Sequence, residues 1–246
     1  DLQAAVYCVY GRDFAQMVKV DSRWDDYSLS GYNAYNALVE GSAVCQGYTL
    51  AFDYLMQKLD IESDFIGSDK LNHCWNMVSA GGSRYFVDTT WDDSRDYRLY
   101  CSHENFLVSG KRLYANSHAS KDWVDSLGEN VSSALTDTTY DAFYWSGSVM
   151  PLAIRGHACA YIDSAAPGRV CLHDYETGSD TVLAEMDVPA DYYETSVVVF
   201  GEHFIAAGAD ALYLIAGDGT VTSLFRLDEE ETAAGMICGI TCSGRT

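Results

Sequence analysis

A thiol, an imidazole and a carboxylate occur in that order at Cys45, His73 and Asp88. Nucleophilic acyl transfer needs these three groups: a sulfur to attack, a base to carry its proton and an acid to orient the base. Each stands in a compact motif: Gly41-Ser-Ala-Val-Cys45-Gln-Gly-Tyr48, Asn72-His73-Cys74-Trp75-Asn76 and Tyr85-Phe-Val-Asp88-Thr-Thr-Trp91-Asp92-Asp93.

The elements that must position them can be read from periodicity. Thr49, Asp53, Gln57 and Asp60 recur at spacings of three and four, while most other residues from Tyr48 to Leu59 are apolar. This predicts a helix largely buried in a core. A cysteine in its first turn meets unpaired backbone N–H groups and the positive end of the helix dipole. Both favour thiolate and offer a donor to a developing oxyanion. Gly47 is expected to leave room for a substrate. Taken alone, Cys45 would read as a small buried apolar residue.

His73 and Asp88 change that balance. Asn72 to Ser79 and Arg84 to Trp91 flank Ala80-Gly81-Gly82-Ser83, and a Gly-Gly turn between such runs signals a β-hairpin. If Ala80 pairs with Ser83, Trp75 lies opposite Asp88 and His73 is the diagonal neighbour of Asp88 on the same face. Diagonal neighbours sit roughly 7–8 Å apart, within reach of a histidine and an aspartate. A slip of one residue would separate them onto opposite faces.

The run Tyr35 to Tyr48, together with Leu59-Asp-Ile61, His73-Cys-Trp-Asn76 and Val87-Asp-Thr-Thr-Trp-Asp-Asp93, resembles the bacterial transglutaminase-like family. The likeness extends from about Trp24 to about Trp123. It implies an α+β fold with a papain-like core, a helix packed on an antiparallel sheet. It further implies a Cys-His-Asp triad with Cys45 as nucleophile, His73 as base and Asp88 as its orienter. One departure is Cys74, where alanine is expected between the histidine and the tryptophan.

Composition bounds the partners. A formal net charge of −21 and a pI near 4.3 should repel nucleic acid and anionic membrane surfaces and favour neutral or basic partners. No apolar run approaches the ~18 residues of a membrane-spanning helix, and no charged, apolar and small-residue leader opens the chain. The first residue is Asp1, so a mature chain or a piece of a longer precursor is expected, as for a secreted or cell-surface protein. The eight cysteines show no dense disulfide spacing. Cys101-Ser-His103 and Cys238-Gly-Ile-Thr-Cys242 do not match a paired zinc signature, and no EF-hand loop is visible, so neither a metal nor a cofactor is expected.

Around the motifs, Asp1 to Ser22 reads as a helix, Trp24 to Tyr32 as an approach loop and Tyr35 to Val39 as a short helix into the Gly41 turn. Ile61 to Ser68 reads as a strand, as does Tyr97 to Tyr100, with Glu104 to Val108 as an edge element. An aromatic or amide in the approach segment could act as a second oxyanion donor, but ordinary packing is the simpler expectation. His103 and His118 are expected to be surface or structural histidines.

Asp125 to Asp137 is poor in aromatics and rich in turn formers, which predicts a linker over 126–138 between a catalytic domain, 1–125, and a smaller all-β domain, 139–246. Alternating runs such as Ala158 to Ile162, Arg169 to His173, Ser196 to Phe200 and Ala211 to Ile215 predict antiparallel hairpins there. A faint repeat accompanies them. Gly178 and Gly219 lie 41 positions apart (219 − 178), as do Leu183 and Leu224 (224 − 183). Such a period suits propeller blades, but two units cannot close a propeller, so the expectation is a small sheet domain or the start of a longer array. His157, His173 and His203 carry no nucleophile signature, and this domain is expected to bind a partner or support the catalytic domain.

Two functions from different classes follow. One is a thiol enzyme acting on amide bonds of peptides or proteins, a cysteine peptidase or amidase if water takes the acyl group and a transglutaminase if an amine does. The other is a catalytically idle module of the same fold that binds a peptide or a wall component.

Overall fold

The computed structural model describes residues 31–93, 101–188, 195–237 and 239–240. The helix expected over Asp1 to Ser22, most of the approach loop, the strand expected over Tyr97 to Tyr100, and Cys8, Cys238 and Cys242 lie outside the described residues. Among the described residues the fold is mixed, with three antiparallel four-stranded sheets and few, mostly short helices. It divides into two units, 1–98 with 102–146, and 99–101 with 147–246.

In the first unit a π-type turn, Asn36–Glu40, closes on Gly41 in the left-handed region (φ 74°) and leads into α1, Cys45–Lys58. The sheet that follows has the order β1 (Ser63–Ser68), β2 (His73–Ala80), β3 (Ser83–Val87), β4 (Phe106–Val108). The β2–β3 pairing runs from Ala80↔Ser83 to Asn76↔Val87, the register the Gly-Gly turn predicts. Gly81 and Gly82 both have positive φ, 59° and 85°, as the twist-matched two-residue turn requires.

Alternation along β2 gives the two faces of this sheet different work. Trp75 and Met77 join Ile66, Phe86, Val108, Leu113, Trp123 and Val131 in an aromatic core on one face. Asn76 and Cys74 turn to the other face, against α1, where Asn76 Nδ2 donates to the Thr49 carbonyl (3.1 Å) and to Asp53 (3.0 Å). The polar stripe of α1 thus contributes Thr49 and Asp53 to its sheet contact, while Tyr54 on the apolar side is exposed. Ser63 also donates to Asp53 (2.6 Å), whose carboxyl burial pushes up.

Two sequence expectations are corrected here. The second hairpin strand stops at Val87 rather than reaching Trp91, because Asp88 caps a one-turn helix, α2, Thr89–Asp92. A side-chain oxygen that can satisfy free backbone N–H groups competes with continued strand pairing, and here it wins. The expected linker is also absent: 126–138 belongs to the first unit, and the division falls between Ser146 and Gly147. Asp125 accepts from the N–H groups of Leu127 and Glu129, which satisfies the turn. Val131 and Leu135 meanwhile pack into the Trp75 core. Turn-forming composition marked the bends correctly, but two apolar side chains are enough to anchor such a segment. A short helix, α3, Gly110–Ala115, capped by Ser109, follows β4 in this unit.

The second unit is two meanders in sequence. The first pairs β5 (Ala153–Arg155), β6 (Ala158–Tyr161), β7 (Arg169–Asp174) and β8 (Ser179–Glu185). The second pairs β9 (Ser196–Phe200), β10 (His203–Ala207), β11 (Ala211–Ile215) and β12 (Val221–Arg226). Gly178 and Gly219 occupy the same place in each, the turn between third and fourth strands, both at positive φ (68° and 85°). Each third–fourth strand pair also carries a register shift, at Val170/Cys171 and at Leu212/Tyr213. The 41-residue repeat is therefore structural. Ala160, Ile162, Val170, Ala184, Val197, Phe204, Ala206 and Ile215 form its apolar core. A six-residue helix, α4, Glu229–Ala234, follows, opened by a capping box of Asp228 and Glu231.

Candidate active site

Cys45 is the first residue of α1, after Val44 in an extended conformation. The first intrahelical bond is made by Tyr48 N–H to the Val44 carbonyl (3.1 Å), so the N–H groups of the first turn have no acceptor within the helix. Thr49 Oγ1 donates to the Cys45 carbonyl (2.8 Å) and fixes that turn. Gly47, expected from sequence to leave room for a substrate, is buried and makes room for the protein's own chain instead. A Cβ there would sit 2.3 Å from the Gly31 carbonyl oxygen and 2.7 Å from Ala43 Cβ. Glycine is required because the preceding chain crosses the helix at van der Waals distance.

His73 begins β2 after Asn72, whose positive φ (47°) turns the chain into the strand. Its Nε2 lies 2.6 Å from Asp88 Oδ2. The other ring nitrogen is not used by Asp88, and Cys45, by hydrogen bond and charge, is among the influences that raise the His73 pKa. Trp91 stacks on the His73 ring at 4.5 Å and 14°, which fixes the imidazole plane.

Asp88 is fully buried and has every acceptor direction used. Oδ1 accepts from the N–H groups of Thr90 (2.9 Å) and Trp91 (3.1 Å), and Oδ2 from His73 and from His118 Nε2 (2.8 Å). Its own N–H donates to the Asn105 carbonyl (3.0 Å), and Asn105 in turn donates to Asp92 from its backbone and its amide. The capping turn and the approach to β4 therefore hold the carboxylate from both sides.

These contacts set the charges. The hydrogen bond from the Cys74 thiol is the largest influence on Cys45, outweighs burial and, with the hydrogen bond and charge of His73, pulls the Cys45 thiol down to about 5. For His73, burial alone would lower the pKa, but the Asp88 charge and hydrogen bond, with smaller help from Cys45, carry it up to about 10. Burial would raise Asp88, yet the His73 charge and the hydrogen bonds of both histidines hold it well below the usual carboxylate range. A thiolate beside an imidazolium, oriented by a buried carboxylate, can attack a carbonyl and return a proton to the leaving group.

Three participants were not assigned a role from sequence. His118 was expected to be a surface or structural histidine; it is fully buried and shares the Asp88 oxygen with His73. Nothing in its local sequence, Asn116-Ser-His118, announces this, since the contact depends on how α3 returns the chain to the sheet. Trp91 and Cys74 lay inside the quoted motifs, but only the packing reveals what they touch. Among the described residues, His73, Asp88 and His118 form the group whose ligand atoms, all within 4.8 Å of one another, could hold a metal ion. Their separations of 2.6 and 2.8 Å are those of charge-assisted hydrogen bonds, which already satisfy the oxygen. His103 is buried against Phe106.

No helix among the described residues is long and apolar enough to cross a membrane. No family model and no curated protein matches the chain. Among solved structures, PorZ, an essential bacterial surface component of the type-IX secretion system of Porphyromonas gingivalis, aligns at 12% identity and a TM-score of 0.28, covering 67% of this chain and 20% of its own, so the chain spans about a fifth of that protein's length.

Proposed function

We propose that this chain is a thiol-dependent acyl-transfer enzyme of the transglutaminase-like kind, acting on amide bonds of peptides or proteins through Cys45, His73 and Asp88. The observation that carries this reading is the 2.6 Å contact of His73 Nε2 with Oδ2 of the fully buried Asp88, beside a Cys45 thiol that hydrogen bonds and the His73 charge pull down to about 5. Cys45 sulfur attacks the amide carbonyl, and the oxyanion that develops is stabilised by N–H groups of the first turn of α1. The His73 imidazolium protonates the departing amine, leaving a thioester. Water or a second amine, losing its proton to His73, then releases the acyl group. Water makes the enzyme a peptidase or amidase, and an amine makes it a transglutaminase. The net charge of −21 favours neutral or basic substrates. A secreted or cell-surface location belongs to the same proposal.

Brief alkylation with iodoacetamide at mildly acidic pH, read by mass spectrometry, tests it. Cys45 should be modified far faster than every other cysteine, and replacing His73 should remove that selectivity. If Cys45 reacts no faster than Cys159 or Cys171 in the folded chain, the idle binding module becomes the better account. A substrate panel with and without a primary amine then separates hydrolysis from transamidation.

A further inference from the structure

The acyl-transfer mechanism leaves one buried nucleophile unused, Cys74. The alternation of β2 sends His73 toward Asp88 and Cys74 toward α1, where its side chain is 7% exposed. Thr49 Oγ1 lies 2.8 Å from the Cys45 carbonyl oxygen and 3.6 Å from Cys74 Sγ, so one hydroxyl ties the first turn of α1 to that sulfur. Hydrogen bonding from the Cys74 thiol and backbone N–H is also among the influences that hold the Cys45 thiol low. Two free thiols thus meet at the junction of α1 and β2, joined through the Thr49 hydroxyl. One of them, Cys45, is half-buried and reachable, and the other is sealed beneath it.

We propose that Cys74 is the resolving thiol of a reversible oxidative modification: a hydroperoxide oxidises Cys45, and Cys74 then closes a Cys45–Cys74 disulfide. The inference rests on Cys45 being the reactive thiolate of the proposed function. In the first step the Cys45 sulfur attacks the terminal peroxide oxygen, an S–O bond forms and the O–O bond breaks. The sulfur is oxidised by two electrons, the peroxide is reduced by two, and the departing oxygen takes up a proton as alcohol or water. In the second step Cys74 sulfur attacks Cys45 sulfur, S–S forms, S–O breaks, and the Cys74 proton leaves with the hydroxide as water.

The order of events follows from burial and charge. The peroxide meets Cys45 because Cys74 is covered. While Cys45 is a thiolate, its hydrogen bond and charge push the Cys74 thiol up and keep it protonated. Conversion of Cys45 to the neutral sulfenic acid removes that charge and frees Cys74 to attack. Since Cys74 is held beside the first turn of α1 by Thr49, closure should outrun a second encounter with peroxide, which would carry Cys45 to the irreversible sulfinic acid. Disulfide exchange with an external dithiol would restore both thiols.

The full chain, treated with hydrogen peroxide, acid-quenched and mapped by mass spectrometry, tests this. The expected product is about 2 Da lighter and contains a Cys45–Cys74 cross-linked peptide. Iodoacetamide labelling of Cys45 should fall at least about tenfold and return under dithiothreitol. In Cys74→Ala and, keeping size and a donor, Cys74→Ser, Cys45 should gain about 32 Da and not recover. Wild-type Cys45 that is selectively labelled yet reaches the sulfinic acid as fast as in both variants, with no cross-link, overturns this proposal and leaves the acyl-transfer reading intact. A cross-link from Cys45 to any other cysteine overturns it too. If Cys45 is neither selectively labelled nor oxidised, both readings fall together.

Discussion

The two units bury different kinds of residue. The first encloses Asp88, Asp92, Asp93, His73, His103 and His118, whereas among the described residues of the second the buried titratable histidine is His173. Its core is apolar and built twice on one plan, with Val170 and Ile215 on third strands and Phe204 and Ala206 on a second strand. Repetition suits a core whose only requirement is shape, because each meander can satisfy its own backbone and offer one apolar face. Buried charge has the opposite demand. Every oxygen of Asp88 needs a particular donor at a particular distance, and no repeat supplies that. Chemistry is therefore sought in the irregular unit and scaffolding in the regular one.

The largest effect that would break this contrast is on the thiol itself. Cys45→Ala should abolish amide turnover, and His73→Gln should lower it ~10²–10⁴-fold, the range of a lost general base. Turnover surviving either change would move the chemistry elsewhere, and a search of the second unit would follow.

Next comes the apolar core of the meanders. Phe204 is fully buried, and Phe204→Ala should cost about 3–5 kcal/mol of stability. Calorimetry should show the loss, while the pH midpoint of Cys45 alkylation stays where it was, because every group that sets that midpoint lies in the first unit. A shifted midpoint would mean that the division is not functional.

A third prediction concerns pH. The productive pair is thiolate with imidazolium, which exists above about 5, where Cys45 loses its proton, and below about 10, where His73 keeps its own. Turnover should be bell-shaped between these limits. The same shifts bear on stability with opposite signs. Cys45, lowered from 9.0, contributes stability that is lost as pH falls through about 5. His73, raised from 6.5, contributes stability that is lost as pH rises through about 10. Alkylation that begins only near 9 would show that Cys45 behaves as an ordinary thiol.

The smallest effect tests His118. His118→Leu removes one of two donors to Asp88 Oδ2 and should slow turnover roughly tenfold, about the 1.5–3 kcal/mol of a charge-assisted hydrogen bond discounted for the donors that remain. His118→Gln, which keeps a donor, should recover part of it. Equal thermal stability of the two variants with unequal rates would identify His118 as a positioning residue for the carboxylate. Equal rates would reduce it to packing beneath Trp91, whose ring lies 4.0 Å away.

By itself the sequence determined what local rules control. The Gly81-Gly82 turn set the hairpin register, since a two-residue turn with two positive φ values permits only one pairing. Alternation then fixed which faces of β2 carry Trp75 and Cys74, and the spacing of Gly178 and Gly219 marked a repeated strand-turn-strand unit, which the structure extends to two four-stranded meanders. Only the tertiary structure decided what depends on residues far apart in the chain. The end of β3 at Asp88 came from a capping carboxylate competing with strand propensity, and the inclusion of 126–138 came from Val131 and Leu135 finding the Trp75 core. The fourth donor on Asp88 could not be read either. His118 reaches it across thirty positions of sequence, with separation |i−j| = 30, through a turn and a helix whose path no local pattern encodes. Long-range contacts of buried polar groups are chosen by the whole fold, because each must be satisfied at a place that only packing defines.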